Sequence, residues 1–341
     1  MMVEPECWKG VAVWHHRSEV ALAVGVWTEK RNGLGEDAEP LFVHHVPTRE
    51  GVAGVFDGLG GAGSSPAYDP GDGTVRTGAW VGSRTARAAV ESWFCRRVEK
   101  GAHAESESLD GHLGGLLAEM RPDTRSKVVG TMRKDLPTTM AVTHYQLTPG
   151  QVHCNALWAG DSRAYLLTPR SGLQVLTRDH TEDTDTLEQL RSDPPMTNVL
   201  RAGRFVIESN KLTVGLPSVL VTATDGFFGY VRTPAHFECH LLRTLQQARD
   251  ESDWGRLLAR AVTGYTGDDA SVSIVALGFA DFRDLAESFA PRAGQVIGDY
   301  LSPPAPPEQD HAASHEWQEL TWRYYRDGYE RQLPPITEER R

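Results

Sequence analysis

Short apolar runs bounded by Gly and Pro recur along the chain. Runs rich in Val, Ala, Leu and Thr predict strands at residues 20–26, 52–56, 139–146, 152–158, 163–167, 219–223 and 271–277. Elsewhere the period lengthens. Val81, Ala86, Ala89, Val90, Trp93 and Phe94 recur at spacings near 3.6, as do Trp254, Leu257, Leu258, Ala261 and Val262, and both stretches predict amphipathic helices. Residues 102–135 read as helical from Leu113, Leu116, Leu117 and Met120. Strand pairs, then helices, then more strands do not alternate one for one, which argues against a doubly wound parallel sheet. The pattern predicts an α+β fold: two packed antiparallel β-sheets flanked by helices.

The character changes after Phe279. A helical stretch to about Tyr300 is followed by a proline-rich break at residues 302–307 and a last helix with Trp317, Leu320 and Tyr324 as one stripe. The reading is a domain over residues 1–280 and a helical, proline-rich extension over residues 281–341. The aromatic stripe either docks on the same domain or recognises a partner.

At 341 residues with 40% hydrophobic content the chain can bury a full core. A net charge of −11, with no basic stripe, makes nucleic acid a poor partner. Cys7, Cys95, Cys154 and Cys239 show no C-x-x-C spacing, so neither a zinc knuckle nor a redox pair is written here. The first residues lack a basic segment followed by an apolar one, and the apolar stretch at residues 21–27 is too short to span a bilayer, so a cytoplasmic protein is expected. Arginine is strongly preferred over lysine, a usage that suggests a bacterial source.

The candidate chemistry lies in acidic strings at strand ends. Gly54-Val55-Phe56-Asp57-Gly58-Leu59-Gly60-Gly61 places a carboxylate where a strand runs into bare glycine backbone. Alone, that is also an ordinary turn. A second strand ends in Thr224-Asp225-Gly226, Gly267-Asp268-Asp269 opens a third, and Glu36-Asp37 lies near the start. Hard divalent cations take oxygen ligands, so carboxylates gathered at strand ends suit Mg²⁺ or Mn²⁺ and not zinc. Ala159-Gly160-Asp161-Ser162-Arg163 reads locally as a hairpin turn.

Together with Thr138-Thr139-Met140-Ala141-Val142 and Leu176-Thr177-Arg178-Asp179-His180, these strings resemble, in order, the motifs of the type 2C, metal-dependent protein serine/threonine phosphatases, over residues 20–278. The resemblance implies two metal ions, Mn²⁺ or Mg²⁺, in a cleft at one end of a β-sandwich. It implies that Asp57 bridges them, that the Gly58 carbonyl binds one, and that Asp225 and Asp268 complete the shell of the other. Glu36 and Asp37 would act directly or through water, and Asp161 falls where some members hold a third, weaker metal. Bound ions would lower the pKa of water and neutralise phosphoryl oxygens, so that a phosphorylated protein is hydrolysed without a covalent intermediate. Asp57, Asp225 and a phosphate-binding Arg31 form the implied catalytic set.

Departures from the family pattern are specific. Leu59 stands where many members have a proton-donating histidine, as in bacterial relatives with an apolar residue there. Gly229 replaces an Asp of the third site, Arg31 is one residue farther from Glu36 than usual, and Asp269 replaces an Asn and could share or swap the role of Asp268. His180 reads as part of a structural turn, and His15, His16, His44 and His45 show no metal spacing. A pseudophosphatase that only binds is the alternative, against which the retention of Asp57, Asp225 and Asp268 together argues. Substrate choice is expected in the loops 60–77, read as mobile from its composition, and 182–204; residues 308–341 are expected to regulate the enzyme or bind a partner.

Overall fold

A computed structural model describes residues 6–71, 73–100, 108–121, 135–192, 194–301 and 310–335. In chain order the first strands are β1 (Glu6–Trp8), β2 (Val11–Arg17), β3 (Ala21–Thr28), β4 (Leu41–His45), β5 (Glu50–Val55), β6 (Pro66–Tyr68) and β7 (Arg76–Thr77). The later ones are β8 (Met140–Thr148), β9 (Gln151–Ala159), β10 (Arg163–Thr168), β11 (Gly172–Val175), β12 (Glu208–Gly215), β13 (Ser218–Ala223) and β14 (Ala270–Leu277). The helices are α1 (Gly60–Gly63), α2 (Gly78–Lys100), α3 (Leu109–Glu119), α4 (Thr186–Arg191) and α5 (Asp225–Phe228), then α6 (Pro234–Gln247), α7 (Glu251–Thr263), α8 (Phe282–Tyr300) and α9 (His311–Tyr329). Of the stretch read as helical at residues 102–135, α3 is the helix described; 101–107 and 122–134 lie outside the described residues, as does the proline-rich break.

The strands form a seven-stranded sheet, ordered β1-β2-β3-β14-β13-β10-β11, and a five-stranded sheet, ordered β12-β9-β8-β5-β4, with all pairings antiparallel. The α+β sandwich expected from the strand pattern is therefore the fold. Every residue of β14 is buried, as a central strand covered on both faces requires, whereas β12 alternates half-buried with exposed along its length, as an edge strand does. Between the sheets lies a layer rich in small residues, including Ala21, Ala23, Ala53, Ala156 and Ala164. α2 and α3 bury their apolar faces on the smaller sheet, through Phe94, Leu113 and Leu117. α6, α7, α8 and α9 cover the larger one. Asp250, Asp281 and Asp310 start α7, α8 and α9 by accepting backbone N–H groups of the first turn. No helix among the described residues is long and apolar enough to cross a membrane.

The last helix docks with a different face from the one its sequence suggests. Trp317 is buried, but Leu320 and Tyr324 are 48% and 68% exposed, and the buried stripe runs Trp317, Thr321, Trp322, Tyr325, Tyr329. The cause lies beneath the helix, where two buried ion pairs await hydroxyl groups. Arg292 of α8 forks onto Glu238 of α6 at 2.7 and 2.8 Å, and the Tyr325 hydroxyl donates to the same carboxylate at 2.5 Å. Arg163 of β10 forks onto Asp179 at 2.9 and 2.7 Å and donates to the Tyr329 hydroxyl at 3.4 Å. A stripe of Trp317, Leu320 and Tyr324 carries one hydroxyl and could not serve both pairs. α9 also ties down the 182–204 loop, through Arg191 to Glu319 and Arg326 to Asp185.

Two outcomes are expected. Tyr325→Phe should cost about 1.5–3 kcal/mol, a hydrogen bond to a charged group, and Arg292→Met about 3–5 kcal/mol because it leaves Glu238 buried and unpaired; urea unfolding measures both, and equal losses would contradict the arrangement. His236 of α6 packs edge-on against Trp317, and burial, aided by the nearby charges of His240 and Arg232, pulls its imidazole down to about 4. The unfolded chain takes up this proton near 6.5, so the stability it contributes is present above about pH 6.5 and is lost as pH falls toward 4. His236→Asn should flatten that limb of a melting-temperature profile.

Candidate active site

Strand register brings the acidic strings to one end of the sandwich. In the larger sheet Ala223, the last residue of β13, pairs with Arg163, the first of β10, and with Val272 near the start of β14. Asp225, Asp161 and the Asp268-Asp269 pair therefore emerge at one edge. In the smaller sheet Val55 at the end of β5 pairs with Ala141 at the start of β8, and Met140 pairs with Ala159 at the end of β9. That places Asp57 beside Thr138, Thr139 and Gly160. Thr138 links the set, bonding with its hydroxyl to Asp57 O at 2.6 Å and bridging Gly58 to Leu200 of the 182–204 loop.

Crowding sets the electrostatics. Asp37 is 1% exposed, accepts the Thr224 hydroxyl at 3.0 Å and shares a hydrogen bond with Asp57. Burial first, then the charge of Asp269, pushes its carboxyl up to about 7. Asp57 is raised by burial and by Asp37, Asp225 and Asp161, and Asp161 by burial and by Asp225 and Asp179. Glu36 is raised mainly by burial, against the Thr77 hydroxyl that bonds it at 2.5 Å. Asp269 spends both oxygens on backbone, accepting Lys30 N and Glu36 N at 2.7 Å each. Asp268 accepts the N–H of Asp269 at 2.9 Å with one oxygen.

The glycines of the two Asp-Gly strings let the acidic loops meet. A side-chain carbon on Gly58 would overlap the carbonyl of Glu36, and one on Gly226 would overlap the carbonyl of Asp269. Each Asp-Gly thus fixes a carboxylate and admits the neighbouring acidic loop.

Arg31 is exposed, and among the described residues its side chain makes no hydrogen bond or ion pair. The arginines that reach the Glu36 loop are ones the sequence reading did not single out. Arg84 of α2 donates to Glu36 O at 3.0 Å and Gly35 O at 3.3 Å, and Arg76 of β7 donates to Gly33 O at 2.8 Å. Their guanidinium carbons lie 4.2 and 4.9 Å from the centre of the Trp80 ring between them. Burial lowers Arg84 to about 10 although Asp37 opposes the shift. The signal was present as Arg76, Trp80 and Arg84 at helical spacing. The 60–77 loop, read as mobile, forms α1 and the β6-β7 ribbon and supplies both Arg76 and Thr77 to the Glu36 loop.

His180 has a structural role. It accepts the N–H of Gly160 at 3.0 Å, stacks on Trp158 and faces Glu208 at 3.2 Å, which pins the turn carrying Asp161. Arg163, two residues on from Asp161, is committed to Asp179.

These residues suit hard divalent ions by chemistry. The donors are carboxylate and carbonyl oxygens, and Asp161 Oδ1 is buried with no hydrogen-bond partner among the described residues. Among the described residues no lysine or arginine pairs with Asp37, Asp57, Asp161, Asp268 or Asp269. Also among the described residues, no three Asp, Glu, His or Cys side chains close around a single point as they stand, so gripping an ion requires these carboxylates to turn inward.

No protein-family model matches the sequence, and no curated protein matches it. Solved structures do. The PPM Ser-Thr phosphatase MsPP from Mycobacterium smegmatis, in complex with cacodylate, is similar with a TM-score of 0.52 and 16% identity, over 76% of this chain and 100% of that one. The serine/threonine phosphatase Stp1 from Staphylococcus aureus gives 0.51 and 17%, over 81% and 98%. The catalytic domain of the serine threonine protein phosphatase PstP, in complex with two manganese ions, gives 0.50 and 15%, over 76% and 98%. With its two antiparallel sheets and flanking helices, the chain has the fold of the bacterial-type, type 2C metal-dependent serine/threonine phosphatases.

Proposed function

We propose that this chain hydrolyses phosphoserine or phosphothreonine in cytoplasmic proteins, with two Mn²⁺ or Mg²⁺ ions held by its acidic cluster. The observation that carries the reading is the gathering of Asp37, Asp57, Asp161 and Asp225, each in the field of the next, with no basic side chain among the described residues pairing the first three. Asp57, the Gly58 carbonyl, Asp225 and Asp268 would hold the ions, with Glu36 and Asp37 behind them. Bound there, the ions would supply Lewis-acid charge for the phosphoryl oxygens and a nucleophile at neutral pH.

The chain's own residues supply position and charge. Asp268 suits a ligand better than Asp269, whose two oxygens already fasten the Lys30–Glu36 loop. Arg84 and Arg76 bring positive charge to the Glu36 loop through its Glu36, Gly35 and Gly33 carbonyls, whereas Arg31 is exposed and, among the described residues, uncommitted. Leu59 cannot donate a proton, so water must protonate the leaving oxygen. Residues 1–280 would form the catalytic unit, and α9, in the 281–341 extension, would brace the 182–204 loop while offering Leu320 and Tyr324 to a partner. A non-catalytic phosphoprotein-binding module is the second reading, favoured by the fact that, among the described residues, no three carboxylates yet close on one point.

Phosphate release from a phosphothreonine peptide separates the two. Mn²⁺-dependent turnover is expected, and Asp225→Asn should lower it at least about 100-fold, the scale of about 2.7 kcal/mol of transition-state stabilisation. A folded protein inert with both Mn²⁺ and Mg²⁺ would select the binding module. A second outcome follows from Asp37. Its carboxyl keeps a proton to about pH 7 in the folded chain but loses it near 3.8 when unfolded. The stability it gives is therefore complete below about pH 4 and is lost as pH rises through 7. Metal must displace that proton, so Mn²⁺ should raise the melting temperature more at pH 7.5 than at pH 5.5. An equal rise at both would place the ion elsewhere.

A further inference from the structure

At the far end of β10 from Asp161 the surface opens into a second cleft of about 400 Å³, between the β10-β11 turn, the end of α8 and the outer side of α9. β10 runs from Arg163 to Thr168, so five steps of about 3.3 Å put this cleft roughly 17 Å from the acidic end. Among the described residues its lining has no Asp or Glu. Arg170 on the turn and Arg331 just beyond α9 line it, both exposed and, among the described residues, without an acidic partner. Arg292, on the inner wall, is neutralised by Glu238. The cleft therefore carries two uncompensated positive charges in a chain whose net charge is −11.

Aromatic surface accompanies the charge. Tyr300 and Tyr324 line the cleft, the latter 68% exposed. Exposed arginine forks suit the oxygens of a phosphate, and exposed tyrosine faces suit a flat ring. A volume of about 400 Å³ lies in the range of small-molecule sites. We propose that this cleft binds a small phosphate ester carrying a planar ring, the chemistry of a mononucleotide. The site is separate from the acidic cluster and does not depend on the phosphatase reading.

The experiment is calorimetric titration of the full chain with adenosine 5′-monophosphate in EDTA, so that no divalent ion can draw the phosphate to the acidic end. Saturable one-to-one binding is expected. Arg170→Glu and Arg331→Glu should each weaken it at least about tenfold, while adenosine and inorganic phosphate, tested alone, should each bind at least about tenfold more weakly than the ester. Both arginines are exposed, so the variants should melt like the native chain; Arg170→Gln and Arg331→Gln give a milder pair if they do not. Absence of binding at millimolar nucleotide, or binding untouched by either pair of substitutions, would overturn the proposal. Inorganic phosphate binding as tightly as the nucleotide would overturn it too, by leaving the tyrosines no part.

Discussion

Carboxylates gathered out of water repel one another, and the acidic end of this sandwich is organised around that repulsion. Left to themselves, Asp37, Asp57 and Asp161 hold protons well above the usual carboxylate range. A loop would relieve the strain by moving one group away. The fold prevents this by placing the acids at the ends of hydrogen-bonded strands and locking the intervening loops from behind. Thr224 holds Asp37, Asp269 holds the backbone of Glu36, and Arg84 clasps the carbonyls on the loop's other side. Charge that cannot leave must be neutralised, by protons or by cations.

Much of this was legible in the sequence, because the strongest signals are local. The seven strands read from apolar runs all occur, and each Asp-Gly string lies just beyond a strand end. The elements that escaped notice lack such a signature. β12 reads Glu-Ser-Asn-Lys-Leu-Thr-Val-Gly, polar on one face because it is an edge strand, and β2 and β4 each carry paired histidines in their last residues. α6 carries Glu238, whose burial makes sense only once Arg292, far along the chain, is in place. Arg84 was missed for a similar reason: a helical arginine looks solvated until the Glu36 loop folds over it. The stripe of α9 was misjudged because spacing cannot tell which aromatic face meets a buried ion pair.

The two tyrosines of α9 show how polar groups set the geometry of an otherwise apolar interface. Trp317 and Trp322 supply bulk, but only one rotation of the helix delivers Tyr325 to Glu238 and Tyr329 to Arg163 together. A wrong rotation would leave buried charges short of partners, a cost that apolar packing alone would not impose. The same contacts reach the turn that carries Asp161, since Asp179 lies beside His180 and His180 holds Gly160.

The pairing of β3 with β14 bears on how the protein comes to exist. Ala21–Thr28 is an apolar strand, and its inner neighbour in the sheet is Ala270–Leu277, which leaves the ribosome long afterwards. Until then β3 can pair only with β2, and its other edge stays open to any strand nearby. Contacts so distant in sequence form late and slowly. Slower synthesis and a holding chaperone would therefore favour soluble product over aggregate, and the acidic cluster, which needs the start of β14, would be among the last features to assemble.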